Sequence, residues 1–194
     1  MVFCIRTERL ILEDFNNGDI QNIRRIADDP RVMRFLLIWL EDEDQIAGYL
    51  KRGIEESGAP DRMAYILAAK EAETGAFAGI TFIEIDPELP TTAEVGCVLV
   101  PDCWADGYAS EILRTLLRFG FDTLHLHRVY GKCDELNLAA ASVLKKCGLR
   151  YEGTLREHVW LRDHWRSSSY FGILADEFNS SGKCPEPVRD PRAD

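Results

Sequence analysis

Long hydrophobic runs are missing from this 194-residue chain. The longest notable one, Phe35–Leu40, is far short of the roughly 20 residues that span a bilayer. Arg6, Glu8, Arg9, Glu13 and Asp14 interrupt the Met1–Phe15 stretch, so it offers no apolar core for a secretory signal. The expectation is a cytoplasmic protein with no membrane partner. The six cysteines include no Cys-x-x-Cys pair and no Cys/His cluster at zinc spacing, which argues against a metal site and a disulfide framework and for reduced thiols. Basic residues are in deficit, 23 against 33 acidic, and −9 of the formal −10 falls within residues 1–100. Such a field repels a phosphate backbone, so nucleic acid is a poor partner. It suits a cationic acceptor such as an amine, as well as plain solubility. No Gly-x-Gly-x-x-Gly run follows the first strand, which leaves a dinucleotide-binding oxidoreductase without support.

What is present is an ordinary globular composition, 46% hydrophobic and 29% charged, in a length that fits one domain. The domain is placed at residues 1–178. Residues 179–194, with three prolines and few apolar side chains, read as a disordered tail. A strand at Arg9–Leu12 comes first. Asp19 then caps a helix to about Ala27, a short apolar helix covers Val32–Trp39, and the acidic Glu41–Asp44 run starts a helix to Glu56. Strands follow at Ala64–Ala69, Phe77–Ile85 and Ala93–Val100, then a helix over Gly107–Leu124 with apolar residues at helical spacing. A strand at Arg128–Cys133, a helix at Leu136–Cys147 closed by Gly148, and strands at Tyr151–Leu161 and Ser168–Leu174 complete the chain, with Asp163-His164 as the turn. This order predicts an α/β (α+β) domain with a mixed sheet of about seven strands flanked by helices.

The chemistry concentrates in Glu94-Val-Gly-Cys-Val-Leu-Val100-Pro-Asp-Cys-Trp104-Ala-Asp-Gly107-Tyr-Ala109-Ser-Glu111. A strand runs into a turn, and Gly107 and Ala109 open a helix. Small residues there let an anion approach the unpaired N–H groups of a helix start, and a pyrophosphate suits that geometry. Many helices begin with small residues, so the motif alone does not identify such a site.

With its surroundings, the chain resembles the GNAT N-acetyltransferases, and among them the ribosomal-protein N-terminal acetyltransferases of RimJ/RimL type. The coenzyme motif of that superfamily, (Gln/Arg)-x-x-Gly-x-(Gly/Ala), corresponds to Trp104-Ala-Asp-Gly107-Tyr-Ala109, with Trp in first position as in that group. Further matches are Thr7-Glu-Arg-Leu-Ile-Leu12, Ala93-Glu-Val-Gly96, Asn137 with Val143-Leu-Lys-Lys-Cys-Gly148, Glu152-Gly-Thr-Leu-Arg156 and Trp165-Arg166, in correct order from Thr7 to Leu174.

The resemblance implies a sheet splayed between its fourth and fifth strands and acetyl-CoA as co-substrate. The acceptor it implies is an amine on a protein N-terminus, a polyamine or a small molecule, and the expected state is a monomer or homodimer. It implies that the amides of Asp106, Gly107, Tyr108, Ala109 and Ser110 hold the pyrophosphate. Val98, Leu99 and Val100 would pair with the pantetheine arm, one of their N–H groups polarising the thioester carbonyl. Asn137 would reach the coenzyme from the far side of the splay. Lys145 and Lys146 lie near the 3′-phosphate or are simply solvated. Glu94 is the first choice to take the ammonium proton through a water, although a salt-bridge role fits it too. Glu157, His158 and His164 stand behind it. Five departures bear on activity: Asp106 in place of an uncharged or basic residue, Ala140 for Ser, Leu144 for the Tyr that protonates the leaving thiolate, and Glu13 and Ser167 where Arg and Asp are usual. A coenzyme A-binding module with weak catalysis is therefore the second reading.

Overall fold

The computed structural model describes residues 3–180. Fourteen elements follow one another in the chain: β1 (Cys4–Arg6), β2 (Leu10–Asp14), α1 (Ile20–Ala27), α2 (Pro30–Met33), α3 (Glu43–Ser57), β3 (Ala64–Glu71), β4 (Phe77–Ile85), β5 (Thr92–Leu99), α4 (Tyr108–Arg118), β6 (Arg128–Asp134), α5 (Leu138–Lys146), β7 (Arg150–Leu161), β8 (His164–Leu174) and α6 (Ala175–Ser180). The strands form one mixed sheet in the order β1-β2-β3-β4-β5-β6-β8-β7. All neighbours are antiparallel except β5 and β6. That parallel pairing lasts only three positions, Thr92↔Arg128, Ala93↔Val129 and Glu94↔Tyr130. Beyond it β5 stays registered on β4 to Leu99, while β6 stays registered on β8 to Asp134. The expected splay is therefore present, between the strands anticipated as fourth and fifth.

The two sheet faces carry different layers. Ile66, Phe82, Glu84, Glu94 and Gly96 share one face through the registers Ile66↔Phe82, Phe82↔Gly96 and Glu84↔Glu94. Here α3 packs so closely that a Cβ on Gly53 would meet Phe15 and Ile66. The opposite face holds Ile83, Val95, Val129 and Gly131. It receives α4, whose Ile112, Leu113, Leu116 and Leu117 are buried, and α5, whose Leu144 lies against Gly131. Each fully buried aliphatic side chain contributes about 1.5–3 kcal/mol. A π-type turn over Phe119–Thr123 ends α4 where Gly120 touches Ile83 and Val129.

Several sequence expectations change. Strand β1 raises the strand count from seven to eight. The helix expected over Val32–Trp39 stops at Met33, because side chains elsewhere take the carbonyls that would continue it: Arg166 donates to Arg34 O at 2.6 Å and Arg162 to Leu36 O at 2.9 Å. Helix α5 begins at Leu138 rather than Leu136, since Asp134 Oδ1 accepts the Leu136 amide in a turn. The last turn is Arg162-Asp163, both left-handed, and β8 begins at His164 rather than Ser168. Helix α6 runs to Ser180, past the boundary expected at residue 178, and residues 181–194 of the expected tail lie outside the described residues.

Gly79 sits opposite Leu99, and a Cβ there would fall 2.2 Å from Val98 O. Because that neighbour is backbone, Gly79→Ala should destabilise the fold by about 1–3 kcal/mol. An unchanged urea midpoint would contradict the close approach of β4 to β5.

Candidate active site

The turn after β5 is tied to the strand and to the far end of the chain. Trp104 Nε1 donates to Leu99 O at 2.9 Å, folding the turn back on the strand. Ala105 (φ 66) and Gly107 (φ 85) are both left-handed, and Gly107 is the N-cap of α4 with no side-chain cap. Glu111 N–H makes the first bond of the helix, to Gly107 O at 3.1 Å, so the amides of Tyr108, Ala109 and Ser110 precede the helical ladder. Arg9, in the turn just before β2, braces this segment. Its Nη1 donates to Asp106 O at 2.9 Å, its Nε to Glu111 Oε2 at 2.8 Å, and its guanidinium lies 4.4 Å from the Tyr108 ring centroid. Glu111 Oε1 also accepts from Thr7 Oγ1 at 2.5 Å and from the Arg9 amide at 2.8 Å. Burial alone would push the Glu111 carboxyl up, but the hydrogen bonds from Thr7 and Arg9 hold it below its ordinary value. Tyr108 OH reaches Glu71 Oε1 at 3.3 Å.

Backbone alternation decides which amides face the splay. Val100 N–H donates to Ala78 O at 2.9 Å and Gly96 O accepts from Thr81 Oγ1 at 2.9 Å, so the even-numbered positions of this stretch address β4. Leu99 O takes the Trp104 indole, and Val95 O points toward Gly131. The amides of Cys97 and Leu99 therefore face the open edge, and those of Val98 and Val100 do not. Burial, with Cys147 nearby, pushes the Cys97 thiol up to about 12. A thiol so weakly acidic is a poor proton donor.

On the α3 face, at the last β5–β6 pair, stands Glu94. Its Oε2 accepts from Lys132 Nζ at 2.9 Å and Tyr130 OH at 3.3 Å, while its Oε1 makes no hydrogen bond among the described residues. Burial, and then the Glu94 carboxylate, push the Tyr130 hydroxyl up. Tyr170 stacks on Tyr130 at 5.9 Å, and His158 meets Tyr170 edge-on at 6.0 Å, with its Nδ1 3.0 Å from Ser168 Oγ.

The outer end of β6 is held by a buried ion pair. Asp134 is 2% exposed and Arg166 7%, with 2.6 Å between Arg166 Nε and Asp134 Oδ2. Arg166 Nη1 also donates to His164 Nε2 at 3.1 Å. His164 is therefore the tautomer with hydrogen on Nδ1, which donates to Arg162 O at 2.7 Å. Between this hairpin and the segment after α2 lies a cavity of about 450 Å³ lined by Arg34, Phe35, Asp134, Glu135, Arg162 and Trp165 among others. Asp134, at the parted end of β6, and the following Glu135 line the cavity, so it borders the mouth of the splay.

A family model described as an acetyltransferase (GNAT) domain matches residues 9–150. The chain belongs to the GNAT acetyltransferase family. It is an acetyl-CoA-dependent acyltransferase. It is similar to the uncharacterized N-acetyltransferase YnaD of Bacillus subtilis (strain 168), 27% identical over 175 residues that cover 90% of this chain and 99% of that one. Two solved structures carry the same fold. A spermidine N-acetyltransferase from Vibrio cholerae in complex with CoA and spermine is 20% identical, covers 88% of this chain and 98% of its own, and has a TM-score of 0.73. The RimL ribosomal L7/L12 alpha-N-protein acetyltransferase is 16% identical, with coverages of 90% and 95% and a TM-score of 0.78.

In this GNAT protein, Asp106 through Ser110 gather at the start of α4, and Cys97 and Leu99 line the open edge. Glu94 takes the salt bridge that sequence reading left open for it. Asn137 is the N-cap of α5, with Oδ1 accepting the Ala140 amide at 3.0 Å, and its amide nitrogen makes no hydrogen bond among the described residues. Leu144 is buried against Gly131. His158 belongs to the Glu94 face through Tyr170, and His164 to the cavity. Lys145 lies 5.9 Å from the Phe171 ring centroid, on the α5 side of the sheet. No group of three or more potential metal ligands occurs among the described residues. Sequence reading missed Arg9, Glu111, Asp134 and Arg162. Arg9 stands in a motif that was recognised, but its partners lie about a hundred positions away.

If Arg9 shapes the turn, Arg9→Met should raise the acetyl-CoA Kd by about tenfold in calorimetry, and Arg9→Lys should recover part of the loss. Equal affinity in Arg9→Met would show that the turn holds its shape without the brace.

Proposed function

We propose that this acetyltransferase moves the acetyl group of acetyl-CoA directly to a primary amine, with the coenzyme entering from the α4–α5 face and the acceptor from the α3 face. The uncapped start of α4, with left-handed Ala105 and Gly107, fits a pyrophosphate held by the amides of Gly107 to Ser110. The open edge of β5 fits a pantetheine arm pairing like a strand, with Leu99 N–H set to donate to the thioester oxygen. The exposed Asp106 contributes its carbonyl to the Arg9 brace, and the Arg9 guanidinium brings a positive charge beside the turn. This supports coenzyme binding despite an acidic residue at that position.

The single observation that carries the reading is the placement of Glu94. It stands where the splay begins, with Oε2 fixed by Lys132 and Tyr130 and Oε1 unengaged. In the proposed reaction Oε1 takes a proton from the acceptor ammonium through a water. The amine nitrogen then bonds to the acetyl carbon, the carbon–sulfur bond breaks, and the second amine proton ends on the released thiol. Relatives of the same fold include an enzyme acting on spermidine and one acting on a ribosomal-protein α-amine, which supports an amine acceptor. A weakly catalytic coenzyme A-binding module is the second reading, favoured by one observation. Leu144 fills the space against Gly131, and the neighbouring Ala140 offers no proton.

Glu94→Gln separates the two. An active enzyme should lose kcat by about 10²–10⁴ with acetyl-CoA affinity intact, and the loss should shrink as pH rises because more of the amine is already neutral. A loss that stays constant to high pH would give Glu94 a structural role. Wild-type protein that binds acetyl-CoA tightly yet releases no thiol with any amine would establish the binding module.

A further inference from the structure

The charge around the cavity at the mouth of the splay says something about the acceptor. Three arginines line it, Arg34, Arg162 and Arg166, against two acids, Asp134 and Glu135. Arg166 is consumed by Asp134 at 2.5 Å, and Arg162 lies 3.5 Å from Glu41. Arg34 has no anionic partner among the described residues and lies 4.9 Å from the Phe35 ring centroid, where the ring leaves its charged edge open. Glu135 likewise has no cationic partner among the described residues. One uncompensated charge of each sign therefore borders the cavity.

The cationic side is built to stay in place. Arg162 is left-handed at φ 51 in a two-residue turn that glycine or asparagine would fill without strain. Its guanidinium is pinned by Leu36 O at 2.9 Å and Ile38 O at 3.3 Å. Its Nε is buried, makes no hydrogen bond, and faces Glu41 Oε1 at 3.5 Å. Burial pulls this guanidinium below its ordinary value, with Arg166 adding to the effect and Glu41 opposing it. With Arg162 and Arg166 each held by an acid, Arg34 is the cavity arginine left to meet an incoming anionic oxygen. A polyamine brings two or more ammonium groups and no anion, and would leave Arg34 facing like charge. The acidic bias of residues 1–100 does not extend to this cavity.

We propose that the acceptor is a primary amine that also carries a carboxylate, such as an amino acid or an acidic peptide, and that Arg34 selects it. The proposal rests on the acetyltransfer reading given above.

The test measures thiol release with amino acids, the corresponding amino-acid amides and spermidine, compared at equal concentrations of neutral amine. The carboxylate-bearing amines should lead their amides by about tenfold or more in kcat/KM. Arg34→Ala should bring that ratio close to one by raising the acceptor KM, and Arg34→Lys should keep part of it. The rise in Tm produced by acetyl-CoA should persist in both variants, showing that the coenzyme site is intact. Spermidine as the best acceptor, or a carboxylate-to-amide ratio unmoved by Arg34→Ala, would overturn the proposal. So would the absence of any turnover of carboxylate-bearing amines by protein that acetyl-CoA still stabilises. Wild-type protein that acetyl-CoA does not stabilise would overturn the coenzyme assignment beneath it as well.

Discussion

A sheet that opens in its own middle leaves backbone groups without partners, and the rest of the site follows from that. After Glu94↔Tyr130, β5 keeps its ladder with β4 and β6 keeps its ladder with β8, so the facing edges of both have no strand to bond. Inside a fold such an edge is costly unless water or a ligand satisfies it. The layers hold the opening in place. Helix α4 packs beneath β5 and α5 beneath β6, while Trp104 on Leu99 O and Asp134 with Arg166 fix the two outer ends. An extended ligand with amide groups of its own fits this edge better than a compact one does, which is why a pantetheine arm is the natural occupant on the proposed reading.

The turn before α4 shows how such a site is kept ready before its ligand arrives. A left-handed alanine costs about 1 kcal/mol or more. The cost is sustained by contacts from the opposite end of the chain, with Arg9 and Thr7 converging on Glu111 and Asp106. Amides held in position need no reorganisation when an anion binds. On the other face, Lys132 and Tyr130 hold one oxygen of Glu94 and leave the other unengaged. The two halves of the site are thus built on opposite faces of one strand, separated only by the alternation of β5.

Most of the fold was legible in the sequence because it rests on local signals. Alternating apolar residues located seven of the eight strands, and the Trp104–Ala109 motif located the turn before α4. What escaped depended on partners distant in sequence. Strand β1 is too short to show a pattern. The helix expected over Val32–Trp39 had the right residues but lost its carbonyls to Arg162 and Arg166, more than a hundred positions away. Val98, Leu99 and Val100 were read as equivalent, whereas only the register on β4 reveals that the Leu99 amide faces the opening. The net charge of −10 suggested a cation-binding surface. A total cannot show that the cavity beside the splay gathers three arginines.

The central claim is that the parted edge of β5 and the start of α4 together receive acetyl-CoA, and amide-resolved NMR titration tests it most directly. The account predicts the largest shift changes at Cys97, Leu99 and Gly107 to Ser110, with the amides of Val98 and Val100 less affected because they remain bonded toward β4. Saturable binding that leaves Leu99 and the Gly107–Ser110 amides unchanged would contradict it.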